Sequence, residues 1–491
     1  MKTDRFGIES VKIGLEAHCQ LTSLKTKLFC SCSADYRGKK PNTLVCPVCL
    51  GIPGSLPVLN LRAVELALMV ALALNCKIPN ETFFFRKNYY YPDMSKNFQI
   101  SQYDRAGGNP LSVDGSVYIR VDHKRKKIKI RRVHLEEDPA RLVYTGTIDA
   151  SPYTLIDYNR SGVALLEIVT DPDLSSPREA RIFLQKLRSI LEHLGVSNGG
   201  LEGAMRCDAN ISIIGGPRVE IKNISSFKEV ERALNFEIAR QKDLVSKGIS
   251  VKQETRHWDE TRRVTISLRI KEEEQDYRYF PELDLIPINI TKSWLEQLKS
   301  KMPELPDARR IRLTKEYGLP SYDAEVLTSD KSLADFFESC VKLGKAPKTV
   351  SNWLMTDVLR CLHNFNLELT ETKFTPEQLV EMITLIEDGV ISGKIAKMIL
   401  PEMIKTGESP RLIVKERGLV KISGREELQL LIGQVCEENP DAVKDALKDE
   451  KAIHFLIGKL MQKTRGRADP KLADELIRAH LALLKSRVST P

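Results

Sequence analysis

Two hydrophobic periodicities divide this sequence. Up to about residue 295 the apolar residues recur at every second position in short runs broken by Gly, Pro, Asn and Asp, the pattern of strands with one buried face. After Pro303 they recur at every third or fourth position, in segments such as Ser332–Leu343, Pro347–Asn364 and Pro376–Asp388 separated by Pro, Gly and polar turns. A period of two cannot bury one face of a helix, and a helical period cannot bury one face of a strand. The chain is therefore expected to be α+β: an N-terminal antiparallel-sheet domain with inserted helices over residues 1–295, an all-α domain over 296–422, and a small helical tail over 423–491 that ends in a helix from Pro470 to Arg487. The length, 491 residues, fits roughly two to four domains.

Charge and cysteine usage narrow the class further. With 75 Lys plus Arg against 66 Asp plus Glu the balance is +9, which permits an anionic partner without identifying one. Its distribution says more: Lys451 to Pro491 holds nine basic and three acidic residues, and His123 to Arg132 (HKRKKIKIRR) is a second basic block. Both are candidate phosphate-contacting surfaces, and both are also what a solvated face looks like. The N-terminus lacks the apolar core of a signal peptide, so a cytoplasmic location is expected. The longest apolar stretch, Val58 to Leu74, contains Arg62 and Glu65 and reads as a buried helix, since a membrane span needs about 20 apolar residues. No membrane partner is implied.

Four of the ten cysteines are grouped. Cys30 and Cys32 are separated by one residue, Cys46 and Cys49 by two, and thirteen residues lie between the pairs, within a loop at 28–50. Thiol pairs on tight turns reach one tetrahedral Zn²⁺, and four thiolates leave no open position, so a zinc ion here would be structural. Buried or redox-idle thiols are the other reading.

Three predicted strands carry charged faces. In Val11–Leu21 the apolar residues alternate with Lys12, Gly14, Glu16, His18 and Gln20, placing Glu16 beside His18. Met205–Ile213 presents Arg206, Asp208, Asn210 and Ser212, and a third strand presents Glu220 and Lys222. Taken singly, each is an ordinary solvated strand face. Together they are the groups that hold Mg²⁺ and nucleotide phosphates. His134–Asp138 (HLEED) is a fourth candidate, or a charged turn balancing nearby Arg. Every Gly-Lys pair is followed by Lys, Ala, Ile or Leu, so there is no P-loop, and G-x-G-x-x-G and H-E-x-x-H are absent. Any phosphate chemistry must be built on a sheet by side chains and a metal.

A series of longer motifs runs the length of the chain: GLEAH at 14–18, KLFC at 27–30, NTLVCPVCLGIPGSLPVLN at 42–60, RKNYYYPDMSKNFQISQYD at 86–104, HLEED at 134–138, DYNRSGVALLEIVTDPD at 157–173, MRCDANISI, VEIKNISSF, ETRHWDE at 254–260, DYRYFPELDL at 276–285, NWL at 352–354, SGKIAK at 392–397 and KTRGRADPK at 463–471. In these the sequence resembles the B-subunit family of the tRNA-dependent aspartyl/glutamyl amidotransferases. The resemblance implies a cradle domain with the kinase and transamidase site, a helical domain, and a YqeY-like tail that grips tRNA. It implies a ligase that uses ATP to phosphorylate the side-chain carboxylate of a misacylated Asp-tRNA(Asn) or Glu-tRNA(Gln), then amidates it with ammonia derived from glutamine. The ammonia would come from a glutaminase A subunit, with a small C subunit completing a heterotrimer.

Carried over by position, the resemblance makes Glu16, His18, Glu137 and Glu220 the Mg²⁺ environment. Lys87 would stand nearest the ammonia route or the acyl carboxylate, and Asp208, Asn210 and Lys222 near nucleotide or product. The tail motif implies tRNA contacts at Lys463, Arg465, Arg467 and Lys471. Two alternatives differ in class or substrate. A non-catalytic, zinc-stabilised tRNA-binding scaffold leaves the four Mg²⁺ candidates without a reason to converge. The archaeal-type E paralogue carries an inserted domain for which Pro287 to Pro320 offers no room.

Overall fold

The structure is a computed structural model that describes residues 11–105, 107–122, 124–145, 151–213, 215–270, 277–420, 422, 424–448, 452–464 and 467–488. It divides into two compact units at Arg309/Arg310. The first unit contains strands β1 (Val11–Gln20), β2 (Phe85–Asn88), β3 (Phe98–Ser101), β4 (Ser112–Val121), β5 (Lys124–Glu137), β6 (Ala164–Thr170), β7 (Met205–Ile213), β8 (Val219–Ile224), β9 (Glu254–Asp259), β10 (Val264–Ile270) and β11 (Phe280–Pro281). Its three long helices are α1 (Leu61–Ala73), α2 (Pro177–His193) and α3 (Phe227–Ser246).

Eight strands form one sheet in the order β10-β9-β8-β7-β1-β6-β5-β4. The sheet is mixed where an antiparallel one is expected, because β8 and β9 pair in parallel. The chain between them is α3, and a helical crossover returns the chain to the end where it started, so the strand that follows must run parallel. Local sequence starts these helices: Ser226 caps α3 and Ser176 caps α2 by accepting the amide hydrogens of Glu229 and Glu179, with Pro177 opening α2.

Alternation along β1 gives the sheet its two faces. Ile13, Leu15, Ala17 and Cys19 are fully buried in one apolar cluster with Phe183, Leu187 and Leu191 of α2 and Val230 and Leu234 of α3. Glu16 and His18 point the other way and remain partly accessible. The Val58–Leu74 stretch becomes helical only from Leu61, where the Asn60 side chain accepts from the Arg62 and Ala63 amides, and Val58 stays 73% exposed.

The second unit is helical and has two apolar clusters, one formed by residues between Leu313 and Leu419, the other by residues between Ile422 and Leu481. Helices at Lys331–Lys342, Pro376–Glu387 and Pro470–Val488 follow the helical periodicity. The expected single helix Pro347–Asn364 is interrupted by a π-turn over Leu354–Val358. No described helix is long and apolar enough to cross a membrane. In the first unit Phe183 is fully buried where α2 meets the sheet, so Phe183→Ala should lower the unfolding free energy of that unit by about 3–5 kcal/mol, read from denaturant titrations.

Candidate functional site: a carboxylate-lined sheet face

Directly opposed residues on paired antiparallel strands project to the same face, so the register alone arranges the polar side of the sheet. One row across four strands reads Asp208 (β7), Glu16 (β1), Val169 (β6) and Arg132 (β5). The next reads Arg206, His18, Glu167 and His134, and a third brings Gln20, Leu165 and Glu136 into line. Asn210 lies opposite Glu220 of β8.

These rows gather acids into two groups. Glu16, Asp208 and Glu220 have ligand atoms within 4.8 Å of one another, and so do His18, Glu136 and Glu167. In the first group Asn210 Nδ2 donates to Glu16 Oε1 at 2.9 Å and Thr255 Oγ1 donates to Glu220 Oε2 at 2.9 Å. Lys222 Nζ stands 3.3 Å from Asp208 and 3.7 Å from Glu220. Burial works against the charge on Lys222, but Asp208, Glu220 and Glu16 outweigh it and hold the ammonium protonated. The Asn210 Oδ1 carbonyl oxygen is buried without a protein partner.

In the second group His18 Nε2 lies 3.8 Å from Glu167 Oε2, and Ser101 Oγ donates to Glu136 at 2.7 Å. The buried His18 Nδ1 has no protein partner. Burial alone would raise the Glu167 carboxyl, yet His134, His18, Arg132 and Lys87 hold it down at about 2. Burial and the neighbouring Glu167 push Glu136 up, and burial pulls His134 down to about 4. The two acid clusters, a histidine with an unused ring nitrogen and an unused amide carbonyl are donors that could hold a divalent cation.

The small sheet β11-β2-β3 meets this face, with Ser101 of β3 donating to Glu136 and Lys87 of β2 within the field of Glu136 and Glu167. It carries Lys87, whose Nζ is 4.9 Å from the centre of the Tyr277 ring and 5.8 Å from that of Tyr89. Burial opposes charge on Lys87, but Tyr279, Glu136, Glu167 and Tyr89 together raise its proton affinity well above that of a free lysine. Tyr279 in turn stacks on Tyr103 with ring centres 4.3 Å apart. The aromatic motif residues thus pack around the ammonium that β2 directs toward the acids.

Of the four residues expected to converge, Glu16 and Glu220 meet in one group and His18 stands in the other, while Glu137 joins neither. Glu137 Oε2 pairs with Lys96 Nζ at 2.5 Å and its Oε1 accepts from the Ile100 amide at 2.8 Å. Consecutive strand residues project to opposite faces, and the register puts Glu136, not Glu137, on the face of His18, in the adjacent row with Leu165 and Gln20. Asp208, Asn210 and Lys222 belong to the polar face, and Lys87 reaches it from the small sheet.

The four cysteines are brought together: the sulfurs of Cys30, Cys32, Cys46 and Cys49 lie within 4.8 Å of one another. Cys46 and Cys49 sulfurs are 3.8 Å apart, which matches the edge of a tetrahedron with metal–sulfur bonds of about 2.3 Å. Buried Lys27 places Nζ 3.6 Å from Cys49 Sγ. A hydrogen bond from the Cys30 thiol, opposed by burial and reinforced by Cys46 and Lys27, draws Cys49 down to about 4. In the tail, Lys463 pairs with Glu438 at 2.7 Å and Arg467 donates to the Gly418 carbonyl at 3.2 Å, Lys471 is exposed, and Arg465 lies outside the described residues.

Residues 11–296 match the family model described as the GatB/GatE catalytic domain, and residues 335–481 match that of the GatB domain. The chain belongs to this family. It is 55% identical over 474 residues to the protein of Sulfurisphaera tokodaii that is named as the B subunit of an aspartyl/glutamyl-tRNA(Asn/Gln) amidotransferase, covering 96% of this chain and 100% of that one. It is 50% identical to the namesake of Thermotoga maritima, covering 95% and 97%, and 48% identical to that of Carboxydothermus hydrogenoformans, covering 96% and 98%.

From the HLEED candidate the resemblance selects Glu137 and not Glu136, and Glu167, Thr255 and Arg132 are not among the expected site residues. Glu136 was within reach, because it shares its parity along β5 with His134 and Arg132. Glu167 also left a signal, being the lone charge in the apolar run ALLEIVT of a central strand. Thr255 and Arg132 acquire meaning only through strand pairing. Titration with Mn²⁺ followed by electron paramagnetic resonance should show binding weakened about tenfold or more by Glu136→Gln or Asp208→Asn, and changed less than about twofold by Glu137→Gln.

Proposed function

We propose that this family member performs the ATP-dependent step of tRNA-bound amide synthesis on the polar face of its sheet. The observation that carries the reading is the pair of acid groups, Glu16/Asp208/Glu220 and His18/Glu136/Glu167, set side by side beneath Lys87 in a family whose relatives bear the amidotransferase name. In the first step the bond between the terminal phosphorus of ATP and its bridging oxygen breaks, with the electron pair leaving on ADP. A side-chain carboxylate oxygen of misacylated Asp-tRNA(Asn) or Glu-tRNA(Gln) bonds to that phosphorus. In the second, ammonia attacks the activated carbonyl carbon, inorganic phosphate departs with the carbon–oxygen electron pair, and the nitrogen loses a proton to give the amide. Activation is needed because a free carboxylate is a poor acceptor for an amine.

The residues divide the work by position. The two acid groups, with the Asn210 carbonyl and the unused His18 ring nitrogen, fit Mg²⁺, which when bound neutralises phosphate charge. Lys222, drawn to Asp208 and Glu220, balances that group and stands ready for nucleotide oxygens. Lys87 presents its ammonium, desolvated among tyrosines, to the acyl carboxylate and the incoming ammonia. Catalysis on such a surface is positioning and electrostatics more than acid–base exchange.

Zinc suits the Cys30, Cys32, Cys46 and Cys49 set on geometry and donor type, with a structural role in holding a loop of few apolar anchors. The ammonia source is a glutaminase A subunit with a small C subunit in a heterotrimer. The basic tail residues Lys463, Arg467 and Lys471, and Arg465 beside them, bind tRNA phosphates. A purely tRNA-binding scaffold accounts for the tail and the cysteines but gives the acid groups nothing to do.

Two measurements test this. In the assembled complex, phosphate release from ATP should require misacylated tRNA, and Glu16→Gln should reduce it by about 10²-fold or more at unchanged tRNA affinity; turnover persisting in that variant removes the site assignment. Elemental analysis should find about one zinc per chain, lost with Cys46→Ser, while wild-type protein without zinc would leave the cysteines as plain thiols.

A further inference from the structure

Arg132 is held loosely where its neighbours are held tightly. Its Nη1 lies 3.3 Å from Asp104 Oδ2 and its Nη2 3.5 Å from Glu167 Oε1. Charge-assisted hydrogen bonds to carboxylates ordinarily measure about 2.7–2.9 Å. Other arginines of the same unit reach that range, Arg86 with two bonds to Glu282 at 2.7 and 2.8 Å and Arg206 with one to Asp138 at 2.8 Å. The Arg132 Nε is buried with no acceptor, so a guanidinium with five N–H bonds is poorly used by the protein around it. A buried donor left without an acceptor is costly, and Arg132 Nε is such a donor on a side chain whose outer edge is open to an incoming anion.

Its place in the sheet says which anion. Arg132 shares the row Asp208, Glu16, Val169, Arg132, on the same face as both acid groups. Two strand spacings of about 4.8 Å separate it from Glu16, and the only residue of the row between them is Val169, small and apolar. A group seated over Val169 would touch the acid-bound cation on one side and the guanidinium on the other. The side chain is 23% exposed, so its outer edge is reachable.

We infer that Arg132 is a phosphate-contacting catalytic residue, its guanidinium closing the open side of the transferring phosphoryl group across Val169 from Glu16. This rests on the kinase reading above. As the bond to the ADP oxygen breaks and the bond to the carboxylate oxygen forms, charge moves onto the leaving oxygen and spreads over the three equatorial oxygens. A planar, permanently protonated fork meets that charge without giving up a proton, which Lys87 on the cover sheet cannot do with the same geometry.

The experiment compares Arg132→Gln and Arg132→Lys with wild type in the full complex on misacylated tRNA, with Glu16→Gln and Asp104→Asn in parallel. Arg132→Gln should lower kcat for tRNA-dependent ATP cleavage by about 10²–10³-fold while KM for ATP stays within about threefold, and Arg132→Lys should recover part of the loss. Wild type should trap MgADP with aluminium fluoride, and Arg132→Gln should bind MgADP but not form that trapped complex. Asp104→Asn, which removes only an ion partner, should stay within about threefold of wild type. Arg132→Gln with near-wild-type kcat while Glu16→Gln is inactive overturns the inference alone. So does a loss shared equally by Asp104→Asn, or one that raises KM and lowers the melting temperature together without rescue by Lys, because those mark a structural role. Absence of tRNA-dependent ATP cleavage in wild type overturns the kinase reading and the inference with it.

Discussion

Like charges crowded on one face of a sheet repel, and burial makes the repulsion worse. Glu16, Asp208, Glu220, Glu136 and Glu167 sit on neighbouring strands with Lys222, Lys87, Arg132 and His18 set among them. That interleaving is what lets the central strands carry acids at all. The price is visible in individual groups: burial beside Glu167 pushes Glu136 toward its neutral form, while the surrounding cations keep Glu167 ionised. A divalent cation arriving among them would relieve the same repulsion, so cation binding and the stability of this face are linked through the same carboxylates.

The opposite face makes this tolerable. Every residue of β1 that faces α2 and α3 is apolar and inaccessible, and the helices bury Phe183, Leu187 and Leu234 against it. A one-residue slip of β1 would send Glu16 and His18 into that apolar layer and turn Leu15 and Ala17 toward the acids. The hydrophobic pattern therefore fixes the register, and the register in turn assembles the site. Each link is local, but the site exists only when the five strands β8, β7, β1, β6 and β5 are all paired.

This explains what could be read in the chain and what could not. The strands Val11–Gln20 and Met205–Ile213 and their charged faces follow from alternation, so Glu16, His18, Asp208 and Asn210 were legible as members of polar faces. The cysteine spacing likewise announced a cluster. Which strands lie side by side is a long-range fact, and β6 enters between β1 and β5 from a distant part of the sequence. Glu167 and Arg132 gain their neighbours only through that insertion. The parallel β8–β9 pair escaped for a related reason: alternation reports one face of a strand and is silent on its direction.

The pair Glu136–Glu137 shows how one short motif serves both sides of a strand. Glu136 looks into the acid face and accepts from Ser101 of β3. Glu137 looks away, yet it holds that same β3: its carboxylate accepts from the Ile100 amide, and its backbone carbonyl accepts from Gln99 Nε2 at 2.7 Å. Gln99 is the register partner of Lys87 on β2. Glu137, fixed in turn by Lys96, thus sets the height of the strand that carries Lys87 over Glu136. A neighbouring acid that stands outside both acid groups can still position Lys87 over them, because the cover sheet and the floor of the site are fastened to each other through consecutive residues of β5.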